Sequence, residues 1–116
     1  MQFTAVPITE DHKPELAEEA AMIYAKGGRI EAFKDPDTDE DVGPKRVWLP
    51  DQDMPGLAMS RSLGDGIAHS VGVSSEPEVK EYTLKQEDCF AVIASDGLWE
   101  FCSNEEVAQL VVPYYI

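Results

Sequence analysis

An apolar segment that ends at an aspartate is the feature that most constrains how this chain folds. Residues 90–94 read Phe-Ala-Val-Ile-Ala, and Ser95, Asp96 and Gly97 follow directly. Such a run is typical of a strand covered on both faces, although its length also fits a turn of buried helix. Asp96 is then a candidate metal ligand at a sheet edge. On these residues alone, a turn that ends a strand is the simpler interpretation.

Length and charge limit the possible classes of function. The 116 residues fit one domain or part of one, and a hydrophobic content of 43% is enough for a core. The formal net charge of −14 disfavours nucleic acids and anionic membranes as partners, because both require basic surfaces. Cys89 and Cys102 fit neither a disulfide framework nor a Cys-x-x-Cys metal site. A reducing compartment, cytoplasmic or nuclear, is therefore expected.

The first predicted helix covers Glu15–Lys26. Leu16, Ala20 and Ile23 fall on one face of it at the spacing of an amphipathic helix. Gly27 follows as the left-handed residue that ends the helix.

Strands and a second helix alternate along the rest of the chain. Strands are predicted at Phe3–Thr9, Arg29–Phe33, Arg46–Leu49, Val71–Val73, Glu78–Leu84 and Phe90–Ala94. Lys34–Gly43 is predicted as an exposed acidic loop, and Leu57–Leu63 as one or two helical turns. A capping box at Ser103 and Glu106 predicts a helix over residues 104–112. This mixture favours a layered α+β fold over a doubly wound sheet.

The acidic loop resembles the start of a calcium-binding loop. Asp35, Asp37 and Asp39 have the required spacing. The sixth position is Glu40 where a glycine is needed, and the twelfth is Arg46 where a glutamate is needed. We therefore reject an EF-hand and interpret the loop as solvated.

Arg61 and the two histidines are further candidates for functional residues. The Ser-Arg-Ser sequence at residues 60–62 fits a phosphate-binding turn, and it fits equally an arginine paired with Asp65 or another carboxylate. His12 is interpreted as a turn histidine before a helix, and His69 as a residue on the surface or under a loop. Neither histidine has an evident serine or cysteine partner in the sequence.

Several segments, taken in order, carry a family resemblance. The two most specific are Gly56–Asp65 (GLAMSRSLGD) and Ala94–Glu100 (ASDGLWE). The supporting segments are Asp11–Pro14, Gly27–Ile30, Arg46–Val47, Gly72–Val73, Glu76–Val79 and Asp88–Phe90. Together they cover nearly the whole chain and resemble the metal-dependent protein serine/threonine phosphatase family, type 2C.

The resemblance implies a fold, a reaction and a metal site. The fold is an α+β four-layer α-β-β-α sandwich, of which residues 1–116 are an incomplete C-terminal-half part with a variable flap at about 34–54. The family hydrolyses phosphoserine and phosphothreonine in proteins with two Mn²⁺ or Mg²⁺ ions that bridge the attacking water. Asp96 is implied as a metal ligand, Gly97 as the turn beside the ion, and Glu100 as a ligand of an additional, weaker site.

The resemblance also implies an incomplete site in this chain. The family's Asp-Gly-His-Gly-Gly segment, its early phosphate-binding arginine and its late Asp-Asn segment do not occur. No catalytic residue is therefore implied here, Arg61 and Asp65 are implied as structural, and the chain alone is expected to be inactive.

Three interpretations remain open. The favoured one is a part of an active phosphatase that acts on phosphoproteins. The second is a non-catalytic phosphatase-like module that binds a protein partner, and the third is a pair of chains that exchange elements. The chain is thus expected to associate with the missing half of the domain or with a second copy. An acidic flap should favour substrates with basic sequence around the phosphoresidue.

Overall fold

The computed structural model describes residues 2–116, which form two compact units. The hairpin unit comprises residues 11–78, and the terminal unit comprises residues 2–10 and 79–116. In chain order the elements are α1 (Ala17–Ala25), β1 (Arg29–Lys34), β2 (Asp41–Trp48), β3 (Pro55–Leu57), α2 (Gly66–His69), α3 (Asp96–Trp99) and α4 (Asn104–Tyr115). Helices together with an antiparallel sheet agree with the predicted α+β class. No helix within residues 2–116 is long and apolar enough to cross a membrane.

Helix α1 confirms the first helix prediction, with a slightly later start. It begins at Ala17, and Ile23 on its apolar face is fully buried. Gly27 takes a φ of +84°, the left-handed conformation expected of the residue that ends a helix. The local signals in the sequence were therefore sufficient for this element.

The three strands form an antiparallel sheet in the order β1-β2-β3. The register places Lys34 opposite Asp41 and is irregular between Glu31 and Phe33. Trp48 Nε1 donates a hydrogen bond of 2.8 Å to the Glu31 carbonyl, and the Trp48 ring meets Phe33 edge-on with centroids 5.4 Å apart. The indole therefore ties β1 to β2 at the irregular point of their register.

The hairpin of β1 and β2 is longer than predicted. The sequence predicts a loop over Lys34–Gly43 and a strand over Arg46–Leu49, whereas β2 already begins at Asp41 and leaves only residues 35–40 as the loop. At this end of the hairpin, Lys34 Nζ pairs with the Asp41 carboxylate across the two strands. Cross-strand charge pairs stabilise a ladder without contributing to hydrophobic periodicity.

A small apolar core stabilises the hairpin unit. Its buried members are Ile23, Val47, Ala68, Val71 and Val73, with Ile30, Leu49 and Leu57 packed against them. Gly72 has a φ of +103°, and a Cβ at this position would lie 2.5 Å from Ile23 Cα. The chain after α2 therefore passes directly against the backbone of α1.

Two segments of the hairpin unit differ from their predictions. Val71–Val73, predicted as a strand, is a turn with buried valines, and Leu57–Leu63, predicted as helical, is not helical. Instead, Arg61 forms an isolated parallel bridge with Ser74, and Ser62 N donates to the Ser74 carbonyl at 2.9 Å. These long-range backbone bonds override the local helical spacing.

The terminal unit contains two helices. The predicted capping box at the start of α4 is confirmed, because Ser103 Oγ accepts from Glu106 N at 3.2 Å and the Glu106 carboxylate accepts from Ser103 N at 2.7 Å. The helix continues to Tyr115, past the predicted end, and includes Pro113. Its last turn is closed by a hydrogen bond from Ile116 N to the Val112 carbonyl.

Three further predicted strands, besides Val71–Val73, are wrong. Phe3–Thr9, Glu78–Leu84 and Phe90–Ala94 form neither helix nor strand. Ile93 is 98% exposed and Leu84 is 81% exposed, although both were predicted to be in strands. A strand requires a neighbour whose backbone pairs with its own, and residues 2–116 provide no such neighbour for these segments.

Candidate functional site

Asp96 lies at the beginning of α3, in a turn fixed by two hydrogen bonds. Ser95 has the extended backbone of a capping residue, and its Oγ accepts from Gly97 N at 3.3 Å. Trp99 Nε1 donates to the Ala94 carbonyl at 3.0 Å. Residues 95–97, which the sequence suggests are a turn at the end of a strand, are therefore the capped beginning of helix α3.

Asp96 and Glu100 place two exposed carboxylates on one side of α3. They are four residues apart, and Glu100 N donates to the Asp96 carbonyl at 2.9 Å. Gly97 lies within the helix, and a Cβ there would make an ordinary contact of 3.4 Å with Ser95 Oγ. The backbone at residue 97 therefore leaves room for a side chain, and the role of Gly97 beside a metal ion stays a prediction.

Asp96 is the metal ligand that the family resemblance implies for this chain. Carboxylate oxygens such as those of Asp96 suit Mn²⁺ and Mg²⁺. Within residues 2–116, however, no group of three or more His, Cys, Asp or Glu side chains is placed to hold a metal ion. The described residues therefore do not fit a complete two-metal site.

Arg61 is held by a buried carboxylate. Its Nε and Nη2 donate to the two oxygens of Glu19 at 2.8 and 3.0 Å, and Ser60 Oγ donates to the same carboxylate at 2.8 Å. Arg61 Nη1 also donates to the Glu76 carbonyl at 3.0 Å. The hydrogen bonds from Arg61 hold the pKa of the Glu19 carboxyl below its usual value. The sequence left open whether Arg61 belongs to a phosphate-binding turn or to an ion pair. The structure shows the ion pair, and the partner is Glu19 instead of Asp65.

Glu19 is a residue that the sequence analysis missed, although a signal existed. It lies three residues after Leu16 and four before Ile23, and therefore on the apolar face of α1. It is 3% exposed, and a buried carboxylate requires a partner. Arg61 is 42 residues away, so local patterns do not identify the partner.

His69 has a serine partner that the sequence does not indicate. Ser62 Oγ and His69 Nε2 lie 3.2 Å apart. His12 Nε2 lies 3.8 Å from a Glu78 oxygen, and His12 occupies the predicted turn before α1. Hydrolase triads need a third group that orients the imidazole, and no carboxylate within residues 2–116 pairs with the His69 ring. The contact between Ser62 and His69 therefore does not form a catalytic triad.

The acidic loop at the tip of the hairpin is ordered by its own side chains. Asp35 Oδ1 accepts hydrogen bonds from two backbone N–H groups of the loop, at 2.8 and 3.2 Å. Asp41 pairs with both Lys34 and Lys45, and these hydrogen bonds lower the pKa of the Asp41 carboxyl. The loop is thus an exposed acidic tip on a defined hairpin.

The hairpin unit also contains an open cavity of about 290 Å³. Its lining residues are Pro55, Gly56, Leu57, Asp65, Gly66, Ile67 and Ala68. Asp65 is the charged residue among them. Ligand sites combine apolar walls with several convergent polar groups, and this lining offers a single polar side chain.

Comparisons with known proteins connect these features to one family. A family model described as Protein phosphatase 2C matches residues 2–113. The chain is 48% identical over 107 residues to "Probable protein phosphatase 2C 12" of Oryza sativa subsp. japonica, covering 92% of the chain and 26% of that protein. It is 46% identical over 110 residues to "Probable protein phosphatase 2C 38" of the same organism, covering 95% and 23%.

A third relative shows the same limited coverage. The chain is 39% identical over 110 residues to "Probable protein phosphatase 2C 72" of Arabidopsis thaliana, covering 95% of the chain and 32% of that protein. The chain thus spans between 23% and 32% of the length of these three relatives. No solved structure matches it significantly.

Proposed function

The chain belongs to the protein phosphatase 2C family, and on that basis we propose that it is part of a protein serine/threonine phosphatase. The observation that carries the proposal is the family match over residues 2–113, which includes the capped turn at Asp96. The proposed substrates are phosphoserine and phosphothreonine in proteins.

We propose that the 116 residues are a C-terminal-half part of a larger catalytic domain with the four-layer α-β-β-α architecture. Its variable flap would then be residues 34–54, which include the acidic tip. The apolar segment Phe90–Ala94 supports this proposal, because three of its five residues are exposed and Ile93 is 98% exposed, although the sequence pattern is that of a buried strand. The remaining part of the domain, or a second copy of the chain, would cover such segments.

In the proposed complete site, Asp96 is one ligand of a pair of Mn²⁺ or Mg²⁺ ions. Such a pair, when bound, generates the water nucleophile and neutralises phosphoryl charge. This chain contributes a carboxylate on a turn whose position is fixed by Ser95 and by the Trp99 indole. Glu100, on the same side of α3, would join an additional ion, and Gly97 would lie beside the metal pair.

Hydrolysis of a phosphothreonine peptide by the full-length protein tests the proposed activity. We expect turnover with Mn²⁺ that a chelator abolishes and fresh Mn²⁺ restores. The 116-residue chain alone should be at least 100-fold less active, because it supplies only part of the metal ligands. A full-length protein that is inactive with both Mn²⁺ and Mg²⁺ would instead favour the alternative, a non-catalytic phosphatase-like module that binds a protein partner.

We further propose that the acidic tip selects substrates by charge. The full-length enzyme should prefer a phosphopeptide with basic flanking residues over an acidic one of the same length by about 3- to 10-fold in kcat/KM at low salt, and less at high salt. Asp37→Asn combined with Asp39→Asn should reduce the preference, and asparagine tolerates the positive φ of residue 39. Glu105→Gln in α4 is the matched control. Equal turnover of the two peptides would contradict this role.

A further inference from the structure

We propose that Thr38, at the tip of the hairpin, is a phosphorylation site for an acidophilic serine/threonine kinase. The three residues that follow it are Asp39, Glu40 and Asp41. Kinases that select carboxylates after the acceptor hydroxyl do so with a basic cleft, and charge complementarity of this kind increases the rate and specificity of association. The proposal does not depend on the chain having phosphatase activity.

The structure distinguishes Thr38 from the other hydroxyl groups in a similar sequence context. Four hydroxyl residues have an acidic residue at the third following position: Thr38, Ser62, Ser75 and Ser103. Ser62 is partly buried against His69, and Ser103 caps α4. Ser75 is exposed but has a proline at the second following position. Thr38 is exposed and has a carboxylate at each of the three following positions, of which Asp41 is also paired with Lys34 and Lys45.

The loop around Thr38 is exposed and is closed by two backbone hydrogen bonds, from Asp35 N to the Glu40 carbonyl at 2.9 Å and from Asp39 N to the Asp35 carbonyl at 2.8 Å. It comprises residues 35–40, and none of them belongs to the apolar core. Thr38 N donates to Asp35 Oδ1 at 3.2 Å, and Thr38 Oγ1 accepts a long hydrogen bond of 3.4 Å from Glu40 N. Exposed loops with few buried contacts open locally with small free energies. A kinase therefore gains access to the hydroxyl without unfolding the hairpin unit.

The reaction requires MgATP as the co-reactant. A bond forms between Thr38 Oγ and the γ-phosphorus as the bond from that phosphorus to the β–γ bridging oxygen breaks, so ADP leaves and the hydroxyl proton passes to the base of the kinase. The product carries roughly 1.5 to 2 negative charges at pH 7. The modification thus makes an already acidic hairpin tip more acidic.

Incubation of the full-length protein with casein kinase 2 and MgATP, followed by trypsin digestion and mass spectrometry, tests the proposal. Cleavage after Lys34 and Lys45 gives a peptide in which Thr38 is the sole hydroxyl residue, so a phosphate on that peptide identifies the site. We expect this phosphopeptide from the unmodified sequence, at least tenfold less of it after Glu40→Gln combined with Asp41→Asn, and the same amount after the control substitution Ser75→Ala.

Two further substitutions complete the test. Thr38→Ser should retain the phosphate on the tip peptide, and Thr38→Ala should remove it. A tip peptide without phosphate after prolonged incubation, while the kinase modifies a standard acidic peptide, would overturn the proposal. Labelling of the tip that does not decrease when the carboxylates at residues 40 and 41 are neutralised would equally overturn it. The first readout uses the unsubstituted protein and therefore does not depend on how any variant folds.

Discussion

Replacing Asp96 with asparagine in the full-length protein should lower kcat/KM toward a phosphothreonine peptide by at least about 100-fold, or about 2.7 kcal/mol. The substitution keeps the shape of the side chain and removes the negative charge that a divalent cation requires of its ligand. Asp96 is exposed, and the hydrogen bonds that fix its turn come from Ser95 and Trp99. The loss should therefore occur without loss of the α3 turn.

The measurement is a Mn²⁺ titration of both activity and binding. We expect the Asp96→Asn protein to bind Mn²⁺ more weakly by calorimetry while its melting temperature without metal stays within about 2 °C of the parent. Glu105→Gln in α4, an exposed carboxylate outside the proposed metal site, is the control and should leave the activity within about threefold of the parent. Activity within threefold of the parent for Asp96→Asn would remove this residue from the proposed metal site.

Elements with strong local signals could be predicted from the sequence. The spacing of apolar residues and Gly27 placed α1 within about two residues of its position, and the capping box at Ser103 and Glu106 fixed the start of α4. Strand β1 was predicted to within one residue. In each case the residues that define the element are neighbours in sequence, so the energetics that select the conformation are local.

Elements that depend on distant partners could not be predicted in the same way. The Arg61 segment is extended because it bridges to Ser74, and Lys34 pairs with Asp41 across the two strands at the end of the hairpin. Phe90–Ala94 has the composition of a buried strand, yet a strand forms only where a second backbone is present to pair with it. For the candidate site, the family resemblance implied Asp96 as a metal ligand, which stays a prediction, whereas the cap that positions this residue appeared only in the structure.

Removal of the ion pair between Arg61 and Glu19 should strongly lower the stability of the hairpin unit. Arg61→Met should lower the melting temperature of the hairpin unit by roughly 10 °C at pH 7, because it leaves the Glu19 carboxylate buried without its cationic partner. The double variant with Glu19→Met should recover much of this loss, since no unpaired charge then remains buried. In the 116-residue chain, Trp99→Phe as the background leaves Trp48 as the single tryptophan, so fluorescence reports on the hairpin unit alone.

The stabilisation that the Arg61–Glu19 ion pair provides should depend on pH. The hydrogen bonds from Arg61 hold the pKa of Glu19 below its ordinary value of 4.5, so the stabilisation is fully present above that value and is lost as the pH falls through the folded-state pKa. In Arg61→Met, burial without the guanidinium favours the protonated acid, and low pH relieves the penalty. The difference in melting temperature between the parent and Arg61→Met should therefore be largest near pH 7. It should begin to shrink above pH 4.5, as the pH falls through the raised pKa of Glu19 in the variant, and it should shrink further as the pH falls toward the lowered pKa of Glu19 in the parent. A difference that stays constant over that range would show that Arg61 acts through packing of its side chain instead of through the charge on Glu19.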